Sequence, residues 1–429
     1  MRTRCARLVP PLFALAVLSA AGGAWPAQGA AGDKPDSAPA PGWWDRALDP
    51  DNLPFIPVPE IDTSPGSGTT VGLIPVVLTS NSKGQIDRIL APDIIHTEYF
   101  GWGARWRTFR NPSEDRKWSL VGGGKQRTER EFDWEEDYGL LRQSDWSWMT
   151  HTMYDRSGTG RFFGYGNRSP RGAETTFVNS QEMVEGSIGR NFSNALQLLY
   201  GVRLHNVEIE NGALPLVPSI QFRFPHIPGV GDEREFQHRV ELAYDSRDSS
   251  VIPTTGERGV AYAGFSRDGL LSTASYTFWG LDGSAYRSLD RDLVLAGHAA
   301  IRLMPSTRYV PFWALSSIGG DRAVVGSVQP LRAYVPGRYV DNNSFSASIE
   351  LRRRVAGAHL FDTDLALEID PFVDVGQVYH EVNTNPLHDL HHVAGIGFRM
   401  VASPFVVGYV DVGVADNHVA VFSGIDYPF

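Results

Sequence analysis

The last twelve residues, His418 to Phe429, put Val419, Val421, Ile425, Tyr427 and Phe429 on one face of an extended segment and His418, Ala420, Gly424 and Asp426 on the other. They stop on an aromatic residue. A strand crosses a bilayer in about ten residues if one face is apolar toward lipid, while the other face is free to be polar. That is how a membrane β-barrel ends. An edge strand of a soluble sandwich has the same period, so the rest of the chain must decide.

Arg2, Arg4 and Arg7 precede an apolar stretch from Leu8 to Ala21, with small residues at Ala24, Ala27, Gly29 and Ala30. This reads as a secretory signal peptide over residues 1–30. Broken by Pro10 and Pro11, the stretch is too short to span as a helix, and no other uncharged apolar run of about 18 residues follows. The one cysteine, Cys5, falls in the leader, so disulfides, thiol catalysis and cysteine metal sites drop out. A formal charge of −10 argues against a nucleic-acid partner, which would want a basic surface.

Residues 31–69 carry Pro35, Pro39, Pro41, Pro50, Pro54, Pro57, Pro59 and Pro65 and hold no period, which reads as a periplasmic linker. Trp43 and Trp44 are either anchors on a barrel rim or a small local cluster. From residue 70 to 429 short alternating runs separated by turn residues continue to the end. Strands are expected near 70–79, 88–98, 100–110, 116–129, 143–156, 177–191, 195–209, 234–246, 257–267, 272–287, 291–304, 343–355, 363–380, 391–402, 404–414 and 417–429. The expected fold is all-β, a 16-stranded antiparallel transmembrane β-barrel, the even number returning both ends to the periplasm.

Several runs assign their own faces. Phe236, His238, Val240, Leu242 and Tyr244 oppose Gln237, Arg239, Glu241 and Asp245. Phe345, Ala347, Ile349 and Leu351 oppose Ser344, Ser346, Ser348, Glu350, Arg352 and Arg354. Leu365, Leu367, Ile369, Val373 and Val375 oppose Asp364, Glu368, Asp370 and Asp374. A charge on the lipid face near the midplane costs about 2–4 kcal/mol, least for Asp and Glu, so the carboxylates belong in the lumen. Two loops are long, about 210–233 and 305–342, and strand parity puts both outside the cell. The second mixes Gly319 and Gly320 with Arg332, Tyr334, Arg338 and Tyr339. A purely solvated loop has no need of those aromatics, and such a loop could fold inward.

With these residues in view, the chain from about Pro57 to Phe429 resembles the BamA/TamA superfamily of outer-membrane barrels, also called the bacterial surface antigen family. The carriers are Pro57-Val58-Pro59 to Ser64-Pro65-Gly66, Phe162-Phe163-Gly164-Tyr165-Gly166-Asn167, and Tyr244-Asp245-Ser246-Arg247-Asp248 with Pro253 and Gly256. Leu331-Arg332-Ala333-Tyr334, Pro371-Phe372-Val373-Asp374-Val375-Gly376 and the terminal phenylalanine complete the set. The resemblance implies an extracellular loop inserted in the lumen, with Arg332 and Tyr334 meeting Phe372, Asp374 and Gly376 on the wall. It also implies a carboxy-terminal barrel signal in Ile425, Tyr427 and Phe429. Ala333 stands where the family usually has glycine, which puts the tightness of the loop tip in question.

The POTRA domains that receive clients in that family have no counterpart in the sequence. The expected role is therefore a POTRA-less member acting in outer-membrane biogenesis or protein or lipid transport. Expected partners are outer-membrane lipid and lipopolysaccharide, the barrel assembly machinery during insertion, and a periplasmic partner in place of the missing domains. A passive pore or scaffold is the alternative.

Catalytic chemistry finds little support. Ser246, Ser249 and Ser250 sit in a turn with no histidine near in sequence, and G-x-S-x-G does not occur, so neither a catalytic residue nor a lipid hydrolase is expected. His388, His391 and His392, with His380 and Glu381 upstream, read as a solvated turn rather than a zinc site. Gly122-Gly123-Gly124-Lys125 lacks the spacing and the following helix of a phosphate loop. No metal or cofactor is expected. Trp102, Trp106, Trp146, Trp148, Trp279 and Trp313 read as interface-girdle residues.

Overall fold

The computed structural model describes residues 56–62, 68–80, 86–113, 115–360, 363–402, 406–416, 418–425 and 427–429. The leader, the stretch holding Trp43 and Trp44, and Ser64-Pro65-Gly66 lie outside the described residues.

Alternation turns into strand along almost the whole described chain. The sheet opens with β1 (Ile56–Asp62), β2 (Thr70–Ser80), β3 (Ile86–Leu90), β4 (Asp93–Thr97) and β5 (Gly101–Ser113). It continues through β6 (Arg116–Lys125), β7 (Arg130–Tyr138), β8 (Trp146–Phe162), β9 (Thr175–Asn191) and β10 (Leu196–Asn211). Next come β11 (Asp232–Asp245), β12 (Gly256–Ser266), β13 (Ser275–Asp290) and β14 (Leu293–Tyr309). Three short strands, β15 (Ser316–Ile318), β16 (Val328–Gln329) and β17 (Tyr339–Asp341), form a separate small sheet inside the following loop. The wall resumes with β18 (Asn343–Leu360), β19 (Thr363–Tyr379), β20 (His391–Ala402), β21 (Val406–Ala415) and β22 (His418–Ile425).

Apart from the pair β3 and β4, consecutive wall strands are joined antiparallel, and β14 pairs with β18 across the loop. β22 and β1 lie side by side, with no backbone ladder joining them among the described residues. The sheet has 19 segments. β3 and β4 both pair with β2 and with β5, so they are halves of one path interrupted at Ala91-Pro92, where proline has no N–H to give a ladder.

The wall thus makes eighteen passes among the described residues, not sixteen. One extra pass is β1, inside the stretch read as linker, whose Pro57 and Pro59 sit in a strand with a ladder on one side only among the described residues. The other is β7, hidden in the sequence because each of its inward positions, Glu131, Asp133, Glu135 and Asp137, is acidic. Both additions precede the long loops, so parity is restored and the two loops leave the same end of the barrel. We call that the loop end, and the opposite rim the turn end.

The faces follow the alternation. Val240, Leu242 and Tyr244 point outward while Glu235 and Gln237 are buried inside. Glu368, Asp370 and Asp374 are buried in the lumen, and the Asp364 side chain lies outside the described residues. Trp102, Trp106, Trp146, Trp148 and Trp279 are exposed on the outer face. Trp313 is not a girdle residue, because it sits in a short helical turn of the long loop with its ring centroid 5.2 Å from His205. Gly122–Lys125 is plain strand in β6.

Candidate functional site

The segment between β14 and β18 leaves the rim and enters the lumen, bringing Arg332 against the wall formed by β18, β19 and β21, where it is fully buried. Its Nε donates to Asp374 Oδ2 at 2.9 Å, its Nη2 to Asp374 Oδ1 at 2.7 Å, and its backbone N–H to Oδ2 at 3.0 Å. The side-chain pair is the bidentate fork that guanidinium and carboxylate planes favour. Nη1 donates to Glu350 and, at 3.3 Å, to Asp411. The guanidinium also lies 3.5 Å from the Phe372 ring centroid, a cation–π contact worth about 2 kcal/mol once desolvated.

Around this point the wall supplies Glu350 from β18, Asp370 and Asp374 from β19, and Asp411 from β21, all fully buried. Arg352 Nε donates to Glu350 at 3.1 Å, and Arg399 from β20 reaches Asp411, Glu350 and Asp370. Buried charges cost several kcal/mol each unless paired, so Arg352 of β18, Arg399 of β20 and Arg332 of the loop answer Glu350, Asp374 and Asp411, while Asp370 has Arg399 at 3.5 Å and accepts no hydrogen bond among the described residues. Removing one partner strands the others. Glu350 and Arg352 were legible from the alternation of β18. Arg399 and Asp411 were not singled out, although Asp411 stands between valines at Val410 and Val412, a charge whose only tolerable side is the lumen.

Two glycines make the approach feasible. A Cβ on Gly413 would overlap the Arg332 carbonyl oxygen, and one on Gly395 would overlap the Phe372 ring. Gly376 borders Ile318 of the loop more loosely. Ala333 is fully buried in an apolar cluster with Ile318, Leu331, Tyr334, Tyr339, Phe372 and Val378, so the tip holds its methyl group without opening. Tyr334 donates its hydroxyl to Asp416 at 3.0 Å. Further along, Arg338 donates to the Ser169 carbonyl at 2.7 Å and lies 4.4 Å from the Phe163 ring centroid. The Phe162–Asn167 turn and the loop are thus one packed unit.

The carboxy-terminal aromatics are not where strand alternation puts them. β22 ends at Ile425, whose side chain lies outside the described residues, and the chain then turns into the lumen. Tyr427 donates its hydroxyl to Glu368 at 2.7 Å, and its ring centroid is 3.7 Å from the Arg352 guanidinium. Phe429 stacks on His298 at 5.1 Å. The Pro428 carbonyl accepts the N–H of Ala323, a loop residue, at 2.9 Å. The lumen offers this tail a hydroxyl acceptor and a cation for its ring faces, and hydrocarbon offers neither.

The other chemistry-bearing residues stay apart. Ser246, Ser249 and Ser250 lie in the turn-end connection between β11 and β12, built around Asp248. Burial alone would raise the Asp248 carboxyl, but the Thr254 hydroxyl and the N–H groups of Thr254, Thr255 and Ser249 hold it below its ordinary value. Of the histidines, His391 stacks on Tyr339 at 3.9 Å inside the loop packing, while His380 and His388 line a cleft at the loop end. Among the described residues no group of three or more His, Cys, Asp or Glu could hold a metal ion.

The sequence profile of the Omp85 superfamily domain matches residues 122–406. No curated protein matches in sequence. Among solved structures, BamA from Haemophilus ducreyi lacking POTRA domains 1–3 is similar at 14% identity and a TM-score of 0.49, covering 82% of this chain and 73% of that one. CdiB from Escherichia coli is similar at 10% identity and a TM-score of 0.46, covering 88% of this chain and 63% of that one. CdiB from Acinetobacter baumannii gives 10% identity and a TM-score of 0.43, with coverages of 86% and 59%.

Proposed function

This chain belongs to the Omp85 superfamily, and from that premise we propose that it works in the Gram-negative outer membrane, in membrane biogenesis or the transport of protein or lipid. The long loop, anchored through Arg332, is its lid. The observation that carries this reading is a contrast within one barrel. The lid is pinned by buried charge, while the β22–β1 seam has neighbouring strands without a ladder among the described residues. Unpaired strand edges accept further strands by main-chain hydrogen bonding, so such a seam is where a client strand or lipid would enter. Export through the signal peptide, insertion by the assembly machinery, contact with outer-membrane lipid and lipopolysaccharide, and a periplasmic partner belong to the same reading.

Deleting the gene and quantifying other outer-membrane proteins and surface lipopolysaccharide tests it directly. A drop in either is expected, and unchanged levels of both would refute it. One observation favours a second reading, a passive pore: the inward side chains of β7 remain accessible. Steady single-channel current through the wild-type chain, together with unchanged membrane composition in the deletion strain, would favour the pore.

A further inference from the structure

At the loop end a cleft of about 730 Å³ opens between the Tyr165–Pro170 turn and the His380–Asp389 segment, floored by Asp341 and Gln377. Its size is that of a small-molecule site, typically about 300–1,000 Å³, and most of its lining residues carry polar groups although more carbon than polar surface faces the cleft. We propose that this cleft is a binding site for a neutral saccharide.

The frame is built before any ligand arrives. Asn167 accepts the Val378 N–H at 3.0 Å, gives its side-chain N–H to the Asp389 carbonyl at 2.6 Å, and offers its own carbonyl to His391 at 2.9 Å. Gln377 donates to the Asn385 carbonyl at 2.8 Å and accepts the Asp389 N–H at 3.1 Å. Gly166, at positive φ, donates to the Val340 carbonyl at 2.8 Å. These bonds fix both walls to the floor, so little ordering remains to be paid on binding.

What the frame leaves over is hydrogen-bonding capacity. The Tyr165 and Thr384 hydroxyls, the Glu381 carboxylate and the His388 imidazole have no hydrogen-bond partner within the protein among the described residues. Carboxylates and an imidazole want donors, and vicinal sugar hydroxyls supply them in pairs. Among the described residues the one arginine or lysine in the lining, Arg168, is exposed and engaged with Asp389 at 2.9 Å, so an anionic ligand would meet Asp341, Glu381 and Asp389 without a free guanidinium or ammonium. Tyr165 adds a flat apolar surface: the residue is 42% exposed and its ring is braced edge-on by Phe162 at 5.3 Å. That suits the C–H face of a pyranose. Burial first, and Asp341 second, push the Tyr165 phenol up to about 12, so the hydroxyl stays neutral at physiological pH.

The inference does not depend on the biogenesis reading, because it is tested on the purified full chain in detergent. The chain is titrated by saturation-transfer NMR with glucose, galactose, N-acetylglucosamine and chitotriose, and with sialic acid as the anionic control. Saturable binding of at least one neutral sugar is expected, weakened about tenfold or more by Tyr165→Ala and by Glu381→Gln. Both variants should keep the wild-type heat-modifiable gel mobility. Thr384→Ala, on an exposed loop, gives a milder loss and guards against a folding defect in the other two. In vesicles, free sugar binding more weakly with lipopolysaccharide present than with phospholipid alone would assign the occupant to lipopolysaccharide sugars, and equal binding to free saccharide. No saturable binding of any neutral sugar, binding indifferent to both variants, or a preference for sialic acid would overturn the proposal.

Discussion

β13 and β7 obey the same rule of alternation and end in different surroundings. All the inward positions of β13 from Tyr276 to Tyr286 are buried, because the loop and the carboxy-terminal tail fill the lumen beside them. On β7 the inward Glu131, Asp133, Glu135 and Asp137 remain accessible. In the packed half Glu350, Asp374 and Asp411, the carboxylates around Arg332, are each answered by a guanidinium. In the open half Asp137 has Lys117 at 3.1 Å and Asp133 has His151 at 2.8 Å, while Glu131 makes no salt bridge among the described residues. Water can solvate the rest. The same residue types therefore set the stability of one half and only the surface charge of the other.

Mutations should expose that difference, most strongly where charge is driest. Arg332→Ala leaves Asp374, Glu350 and Asp411 buried without their shared donor and should cost about 3–5 kcal/mol. Its heat-modifiability midpoint on gels should fall by many degrees, with current appearing in planar bilayers. Unchanged melting and unchanged current would refute the lid. Gly413→Val puts a side chain where the Arg332 carbonyl lies and should cost about 1–3 kcal/mol by pushing the tip away. Limited proteolysis should then cut within residues 319–339, faster than in the wild type, whose loop is largely buried. If cleavage is no faster, the loop tip does not pack as described.

Tyr427→Phe removes only the hydroxyl given to Glu368 and should cost about 1 kcal/mol, read as a small shift of the same midpoint. No shift would argue that the tail sits elsewhere. Glu131→Gln, in the open half, should stay within about 0.5 kcal/mol of wild type. A loss as large as that of Arg332→Ala would abolish the distinction between the halves.

The weakest effect belongs to the turn end. The Asp248 carboxyl is held below its ordinary value, so its contribution is complete above the unfolded pKa and fades as pH falls through the folded one. Protease resistance of the 246–255 turn should therefore decline in acid. In Asp248→Asn that decline should be absent.

The strands whose outward faces are aliphatic, such as β11, β18 and β19, could be read directly, because one polar-to-apolar period has one solution in a bilayer. β7 escaped because a run of acids looks like a solvated turn until its aromatic partners Phe132 and Trp134 are seen on the other face. Arg332 and Asp374 could be named through the family resemblance. Arg399, Asp411, Gly395 and Gly413 required knowing which strands stand behind the loop. Trp313 and the last three residues were misplaced for one reason: periodicity assigns faces within a strand and is silent about segments that leave it.

Sequence by itself determined that this chain would be a strand-built barrel with its carboxylates turned inward, because the alternating pattern and the cost of charge in hydrocarbon are both local facts. Only the tertiary structure decided which half of the lumen is filled, where the chain end goes and which acids share Arg332. Those outcomes depend on side chains far apart in sequence competing for a few buried cations, and no local pattern encodes who wins.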